Sequence, residues 1–379
     1  MERRIKLILG NLLLINSFVI FGCAEKIREV VLREKFPETV MLVSKEHQEY
    51  FPHLKEKYED EEILNVLKEQ QNLANPVCGM LYGYKPFDKK AVERLSKKLK
   101  LKLAVKKWYN YTVDRLIAGC WNFYQMNDLN TDKDFILLGK LYPNLEKECF
   151  SVGFIQPYLM HSILNCKKVT ALDINWRIME AHQQIHKLFR SRDLVDEDDI
   201  KDNLPKIEVR WSANMYDLPV EKFDKIDLST FCKEEEVEIC KKAILVFQKK
   251  AFDLENFNFQ ISKLHNGELK IDKNSTLVFY LSNAIDWEYT STAQFQQLMK
   301  NSIEKIDEGK FALFIYHVGG ASGFGIYEVY RENGKPKIVT RCKDVYSPPL
   351  ILKDQKNLVT YFDKLTTSRG KLVTCSSLN

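Results

Sequence analysis

Gly153 ends the run Cys149-Phe150-Ser151-Val152, and Asp173 ends Val169-Thr170-Ala171-Leu172 about twenty residues later. A glycine in that setting lets bare backbone approach the charged end of a ligand at a helix N-terminus. A carboxylate at the end of the next strand can accept hydrogen bonds from both hydroxyls of a ribose. Ser282, Asn283 and Asp286 follow another apolar run, Ser275 to Leu281, and His317 closes the run that begins at Lys310. Ser282 is a candidate to share in ligand binding, and Asn283 and Asp286 to act on a reacting group at the mouth of such a site. His317, with an ordinary pKa of ~6.5, could serve as a general base. Each has a plainer role. Asp173, Ser282, Asn283 and Asp286 also suit helix caps, Gly153 a tight turn, and His317 a structural histidine bonded to backbone. No Ser-His-Asp ordering, Walker loop or HExxH motif offers a rival site.

These residues meet only if the runs are neighbouring strands of one sheet. From about residue 147 short apolar runs alternate with helical stretches, as an α/β sheet requires. Cys149 to Gly153 reads as a strand, Tyr158 to Leu164 as a helix, Val169 to Asp173 as a second strand and Trp176 to Phe189 as a second helix. An acidic loop, Asp193 to Asp199, leads to a third strand at Ile207 to Trp211, and Glu234 to Phe252 reads as a long amphipathic helix. Lys225 to Thr230 and Thr276 to Ser282 both qualify as the fourth strand. Lys310 to His317 is a further strand, and Gly325 to Tyr330 and Lys337 to Thr340 flank Glu332-Asn333-Gly334-Lys335, a strong hairpin signal. Residues 24 to 117 are dense in Lys, Glu and Leu with helical spacing at 61–68 and 91–99, so the α/β body is expected to follow a helical region.

On these motifs the chain resembles the class I S-adenosylmethionine-dependent methyltransferases, over about residues 147 to 345. The family's first motif falls on Phe150 to Pro157, its acidic second-strand end on Asp173, and its third-strand motif on Ala213-Asn214-Met215-Tyr216-Asp217-Leu218-Pro219. Phe223-Asp224-Lys225-Ile226-Asp227 is similar to the approach to its fourth strand. Leu172-Asp173-Ile174-Asn175 and Tyr280 to Trp287 are also similar to betaine-lipid synthases, which move the aminocarboxypropyl group of the same cofactor onto a lipid. The resemblance implies a Rossmann-like methyltransferase sheet with a C-terminal antiparallel hairpin. It also implies S-adenosylmethionine as cofactor, held by Gly153, Asp173, Asn214 and Ser282, with Asn283, Asp286 and His317 as the catalytic candidates. Only Gly153 of three expected glycines is present, Ser151 replaces an acidic residue, and Ile155 and Pro157 bring side chains where bare backbone is usual. The first motif is therefore read as degenerate.

The N-terminus carries a different message. Arg3, Arg4 and Lys6 precede an apolar stretch from Leu7 to Phe21, too short for the ~20 residues of a membrane span, and Gly22-Cys23 follows. This resembles a bacterial lipoprotein signal, which implies a lipid on Cys23, an anchor in the membrane and a periplasmic or outer-membrane location. The alternatives are an uncleaved anchor helix, with the body facing the cytoplasm, and a buried first helix of a cytosolic protein. The remaining eight cysteines include no CxxC pair, so no metal site is expected; disulfides are permitted and their pairing is open. The basic stretch Lys89 to Lys107 is either a solvated helical face or a contact for anionic lipid headgroups. A composition of 45% hydrophobic and 29% charged residues excludes a disordered chain, and a net charge of +5 gives no footprint for nucleic acid. The expected organisation is a signal peptide over 1–22, a helical region over 23–117, the methyltransferase-like domain over 118–350 and an extension over 351–379. The expected function is a lipid-anchored envelope protein that binds a ligand or partner at the old cofactor cleft. The alternatives are an active methyl or aminocarboxypropyl transferase acting on a lipid or membrane-associated substrate, and a purely structural interaction lipoprotein.

Overall fold

The computed structural model describes residues 36–81, 113, 116–119, 125–207, 210–212, 221–223, 227–285, 289–317, 323–344 and 373–378. Cys23 and the rest of the signal, Lys89 to Lys107, Asn214 with its motif, and Asp286 lie outside the described residues.

Along the chain the elements are β1 (Thr39–Val43), α1 (Lys45–Tyr50), β2 (Lys57–Glu59), α2 (Asp60–Leu81), α3 (Thr131–Leu141), β3 (Lys147–Ser151) and α4 (Gln156–Leu164). There follow β4 (Lys168–Asp173), α5 (Trp176–Ser191), α6 (Glu197–Asn203), β5 (Arg210–Ser212), β6 (Glu221–Phe223) and α7 (Val237–Lys250). The last are β7 (Phe257–Ile261), β8 (Thr276–Tyr280), α8 (Thr292–Ile303), β9 (Phe311–His317), β10 (Phe324–Glu332) and β11 (Lys335–Lys343).

Nine strands form one sheet in the order β11-β10-β9-β8-β3-β4-β7-β1-β2. β3 pairs in parallel with both β4 and β8, β4 with β7, β8 with β9, and β7 with β1. β10 and β11 close one edge as an antiparallel meander through the Asn333-Gly334 turn. The five strands β7-β4-β3-β8-β9 have the doubly wound order, with the reversal between β3 and β8, where ligands bind in such sheets. The fold is therefore α/β and Rossmann-like, with parallel strands in the doubly wound order followed by a C-terminal antiparallel hairpin.

Parallel strands of this kind are buried on both faces, and alternate side chains feed two cores. Cys149, Tyr280 and Ile315 pack with α4, α5 and α7 on one face, whereas Phe150, Phe279 and Phe314 pack with α8 on the other. The first core is rich in rings: Tyr158 meets Phe247 at 4.8 Å between centroids and His186 meets Phe257 at 4.4 Å.

Three details differ from the sequence reading. The third parallel strand is β7, not Ile207 to Trp211; Arg210–Ser212 pairs instead with Glu221–Phe223 in a separate two-stranded ribbon. With β7 in that place, the fourth strand is Thr276–Tyr280 rather than Lys225 to Thr230. The N-terminal region contains helices α1 and α2, yet it also adds β1 and β2 to the main sheet. Among the described residues, disulfides pair Cys149 with Cys166, Cys232 with Cys240 and Cys342 with Cys375. No helix among the described residues is long and apolar enough to cross a membrane.

Candidate functional site

β3 stops at Ser151, and two residues later Gly153 turns the chain with φ at +82°, a conformation that suits glycine. Its N–H donates to Asp173 Oδ2 at 3.2 Å across the gap between β3 and β4. A Cβ at 153 would lie 2.4 Å from Gln156 Oε1, so the Gln156 side chain lies against this glycine. Helix α4 then starts with Gln156 and Pro157, the imino acid standing where no N–H partner is needed. Phe154 and Ile155 are wholly buried in the core, with Phe154 stacked 4.1 Å from Phe231. The obstruction expected from Ile155 is therefore absent, and Gln156 lines the cleft in its place. Gln156 Oε1 is buried without a hydrogen-bond partner.

Asp173 ends β4 on the cleft wall. Its Oδ1 accepts the Asn175 N–H at 2.8 Å while Oδ2 takes Gly153, and each oxygen retains further lone-pair capacity. The cap of α5 is Asn175, whose side chain accepts from Arg177 N, so Asp173 is spared that role. Burial raises the Asp173 carboxyl to about 6, against the lowering effect of these backbone donors. The next carbonyl, Ile174 O, accepts from His47 Nε2 at 2.8 Å, and His47 Nδ1 accepts from Ser44 Oγ at 2.9 Å. The N-terminal β1–α1 unit thereby buttresses the floor of the site. Burial holds His47 neutral, its pKa lowered to about 4.

β7 continues into Ser262, Lys263 and Leu264, which form the wall beyond Asp173. Ser262 N donates to Asp173 O at 2.9 Å, Ser262 Oγ is buried without a partner, and Lys263 pairs with Glu46 at 2.7 Å. This is the end of the third parallel strand, the position that the sequence reading gave to Asn214. Opposite lie Ser282, Asn283 and Ala284 after β8, with Gln125, Asn127, Tyr289 and Thr290. Leu172, Ile178 and Leu264 supply apolar surface, and the enclosed part of the cleft measures about 170 Å³.

Ser282 has φ at +47°, and among the described residues it is the only one besides asparagine and glycine in that region. Its Oγ donates to Asp128 Oδ2 at 2.7 Å, and Tyr280 OH donates to the same oxygen at 2.9 Å. His317 sits behind Ser282, not on the cleft wall, and it is buried. Its Nε2 donates to Leu129 O at 3.1 Å and lies 3.2 Å from Asp134 Oδ2, and its Nδ1 lies 3.5 Å from Asp128 Oδ1. Burial, with the Asp128 carboxylate beside it, pushes Asp134 well above the usual carboxylate range.

Gly153, Asp173, Ser282 and Asn283 thus line one cleft, while His317 is set back from it. Gln156, Ser262, Lys263 and the pair Asp128 and Asp134 were not singled out from sequence. The missed strand β7 would have led to Ser262 and Lys263; no spacing marks Asp128.

No family model matches the sequence, and no curated protein matches it. Among solved structures, the chain is similar to an S-adenosylmethionine-dependent methyltransferase from Clostridium acetobutylicum ATCC 824, at 10% identity and a TM-score of 0.25, over 62% of this chain and 79% of that one. So loose a superposition carries no weight; the strand order and the cleft at its reversal make this a doubly wound, Rossmann-like domain.

Proposed function

We propose that the cleft binds a nucleoside of the S-adenosylmethionine type, and that the protein is a lipid-anchored envelope protein built around this methyltransferase-like domain. The observation that carries the ligand reading is Asp173. Its carboxylate is oriented by two backbone N–H groups at the end of β4 and faces an open cleft. Ribose hydroxyls would donate to it, the base would lie against Leu172, Ile178 and Leu264 beside Ser262, and the amino-acid end would approach Gly153 and Gln156. Gln156 against Gly153, where a glycine-rich loop would leave bare backbone, supports a site adapted to binding more than to ordinary methyl transfer. A second reading, group transfer to a lipid or other membrane-associated acceptor, is favoured by the left-handed Ser282 beside Asn283, since backbone strain gathers at reacting sites.

The anchor rests on Arg3, Arg4, Lys6, the apolar stretch and Gly22-Cys23, and three disulfides suit an oxidising compartment. Lys89 to Lys107 would add ~1 kcal/mol per basic residue near an anionic bilayer. The test is calorimetric titration of S-adenosylmethionine and S-adenosylhomocysteine into the full-length chain, beside Asp173→Ala. Micromolar binding that the substitution abolishes is expected, and a folded wild-type chain that binds neither ends the ligand reading. Palmitate labelling lost in Cys23→Ser is expected for the anchor; an unlabelled wild-type chain removes it.

A further inference from the structure

Directly behind the cleft wall the structure buries three ionisable side chains, Asp128, Asp134 and His317, all at most 2% exposed. Removing such groups from water costs stability unless each is fully paired, and here the pairing is incomplete. Asp128 Oδ1 and Asp134 Oδ2 lack a hydrogen bond and have only the imidazole of His317 at 3.5 and 3.2 Å. A hydrophobic trio would hold β8, β9 and α3 together at less cost. What the arrangement does accomplish is local. Asp128 Oδ2 collects the hydroxyls of Tyr280 and Ser282, and the backbone N–H of His317 donates to Ser282 O at 3.1 Å. Ser282 is therefore clamped at both its side chain and its carbonyl, in a backbone conformation that serine rarely adopts.

We propose that Asp128 is the positioning residue of the cleft: steadied by His317, it locks Ser282 in the left-handed conformation and so fixes how Asn283 and Ala284 meet the ligand. The inference rests on the ligand-binding reading above. The usual residue at such a backbone angle is glycine, which needs no anchor; a serine here brings a hydroxyl that only a buried acceptor can hold in place. Asp128 does not line the cleft, so it acts through Ser282 and not by touching the ligand.

The test uses full-length Asp128→Asn, Ser282→Ala, Ser282→Gly and the Asp128→Asn/Ser282→Ala double variant. S-adenosylhomocysteine affinity, melting temperature and hydrogen–deuterium exchange over residues 282–285 are read for each. Asp128→Asn is expected to weaken binding about tenfold and to speed exchange in that turn, the order of effect of one hydrogen bond to a charged group. In the Ser282→Ala background it should add nothing further, because the contact through which it acts is gone. Ser282→Gly should melt no lower than wild type yet bind more weakly, a separation that a purely structural role would not produce. Affinity and exchange unchanged in Asp128→Asn would overturn the proposal, as would effects that multiply in the double variant. If Asp128→Asn does not fold, the two Ser282 variants decide. If the wild-type chain binds neither nucleoside, the ligand reading has failed, and the exchange measurement still decides whether Asp128 sets the turn.

Discussion

β3, β4 and β8 present two chemistries at their two ends. At the amino end, Lys167 Nζ meets Glu146, Glu255 and Asp272 at 3.3, 3.2 and 2.9 Å, and Lys168 meets Glu255 at 3.2 Å. Asp272 N and Ser275 Oγ donate to Glu148 and Glu146, so nearly every polar atom is committed within the protein; the second oxygen of Glu148 is the exception. Hydrogen bonds from Lys167 hold the Glu255 and Asp272 carboxyls below their usual range. At the carboxyl end burial raises Asp173 and Asp134, as it also raises Glu148 at the amino end. Gln156 Oε1 and Ser262 Oγ have no partner there, and Ser282 and Gly153 hold left-handed backbones. One end is knit together by ion pairs; the other keeps unused hydrogen-bonding capacity around an open cleft.

Acid should separate the two ends most strongly. His47 and His182 lie under and beside the cleft loops, with His161 on α4, and burial lowers their pKa values to about 4, 3 and 4. An unfolded chain protonates these histidines below ~6.5, whereas the folded chain resists. Their stabilising contribution is whole above ~6.5 and falls by roughly 1.4 kcal/mol per histidine per pH unit down to about 4. Asp173 and Asp134, both raised in the folded state, oppose this as the pH falls toward their unfolded value of ~3.9, while His186, lowered well below its ordinary range by burial, adds a fourth histidine to the loss. Unfolding free energies from urea titrations between pH 7 and 4.5 should therefore drop by several kcal/mol; a flat profile would mean that the buried histidines are not neutral partners of the core.

Next in size is Gly153→Ala. The left-handed angle and the displaced Gln156 side chain should cost tenfold or more in S-adenosylhomocysteine affinity, as titration would read, with a smaller change in melting temperature. Affinity retained at wild-type level would show that the β3 loop is no part of the ligand site. The pH dependence of binding follows. With Asp173 ionising near 6, affinity should fall about tenfold per unit below that pH and be level above it, and Asp173→Ala should lose the dependence. Smallest is Lys167→Ala at the opposite end: a fall of a few degrees in melting temperature, erased at high salt, with ligand affinity unchanged. A change in affinity there would break the division between the ends.

The carboxyl end was legible in the sequence where a backbone demand selects a residue type. Gly153 at positive φ, Asp173 at a strand end and the Asn333-Gly334 turn all announce themselves, and β8, β9 and the hairpin fall within a few residues of their expected places. β7 did not. Asn258 and Gln260 alternate with its aromatics and suggest a half-exposed strand, yet both are buried. Gln260 is satisfied by the Glu268 backbone, with Oε1 accepting from its N–H at 2.8 Å and Nε2 donating to its carbonyl, a loop partnership that the alternation within the strand does not reveal. β1 was hidden differently, since Thr39–Val43 is β-branched and apolar but sits in Lys- and Glu-rich surroundings that read as helical. Asp128, just before α3, and Asp134, in its first turn, look like surface acids, yet both are buried beside His317 at the end of β9.

β1 also sets an order in time. It is the earliest strand of the sheet to leave the ribosome, yet its parallel neighbour β7 lies roughly two hundred residues later, and such distant partners make for slow closure. β3 and β4 have only the short α4 crossover between them and can meet long before that. The β1 edge is therefore among the last pieces able to dock, and His47 reaches Ile174 only once it has. A growing chain carries an unfinished cleft until β7 and the residues that follow β8 have emerged, so the cleft is completed late in the synthesis of each molecule.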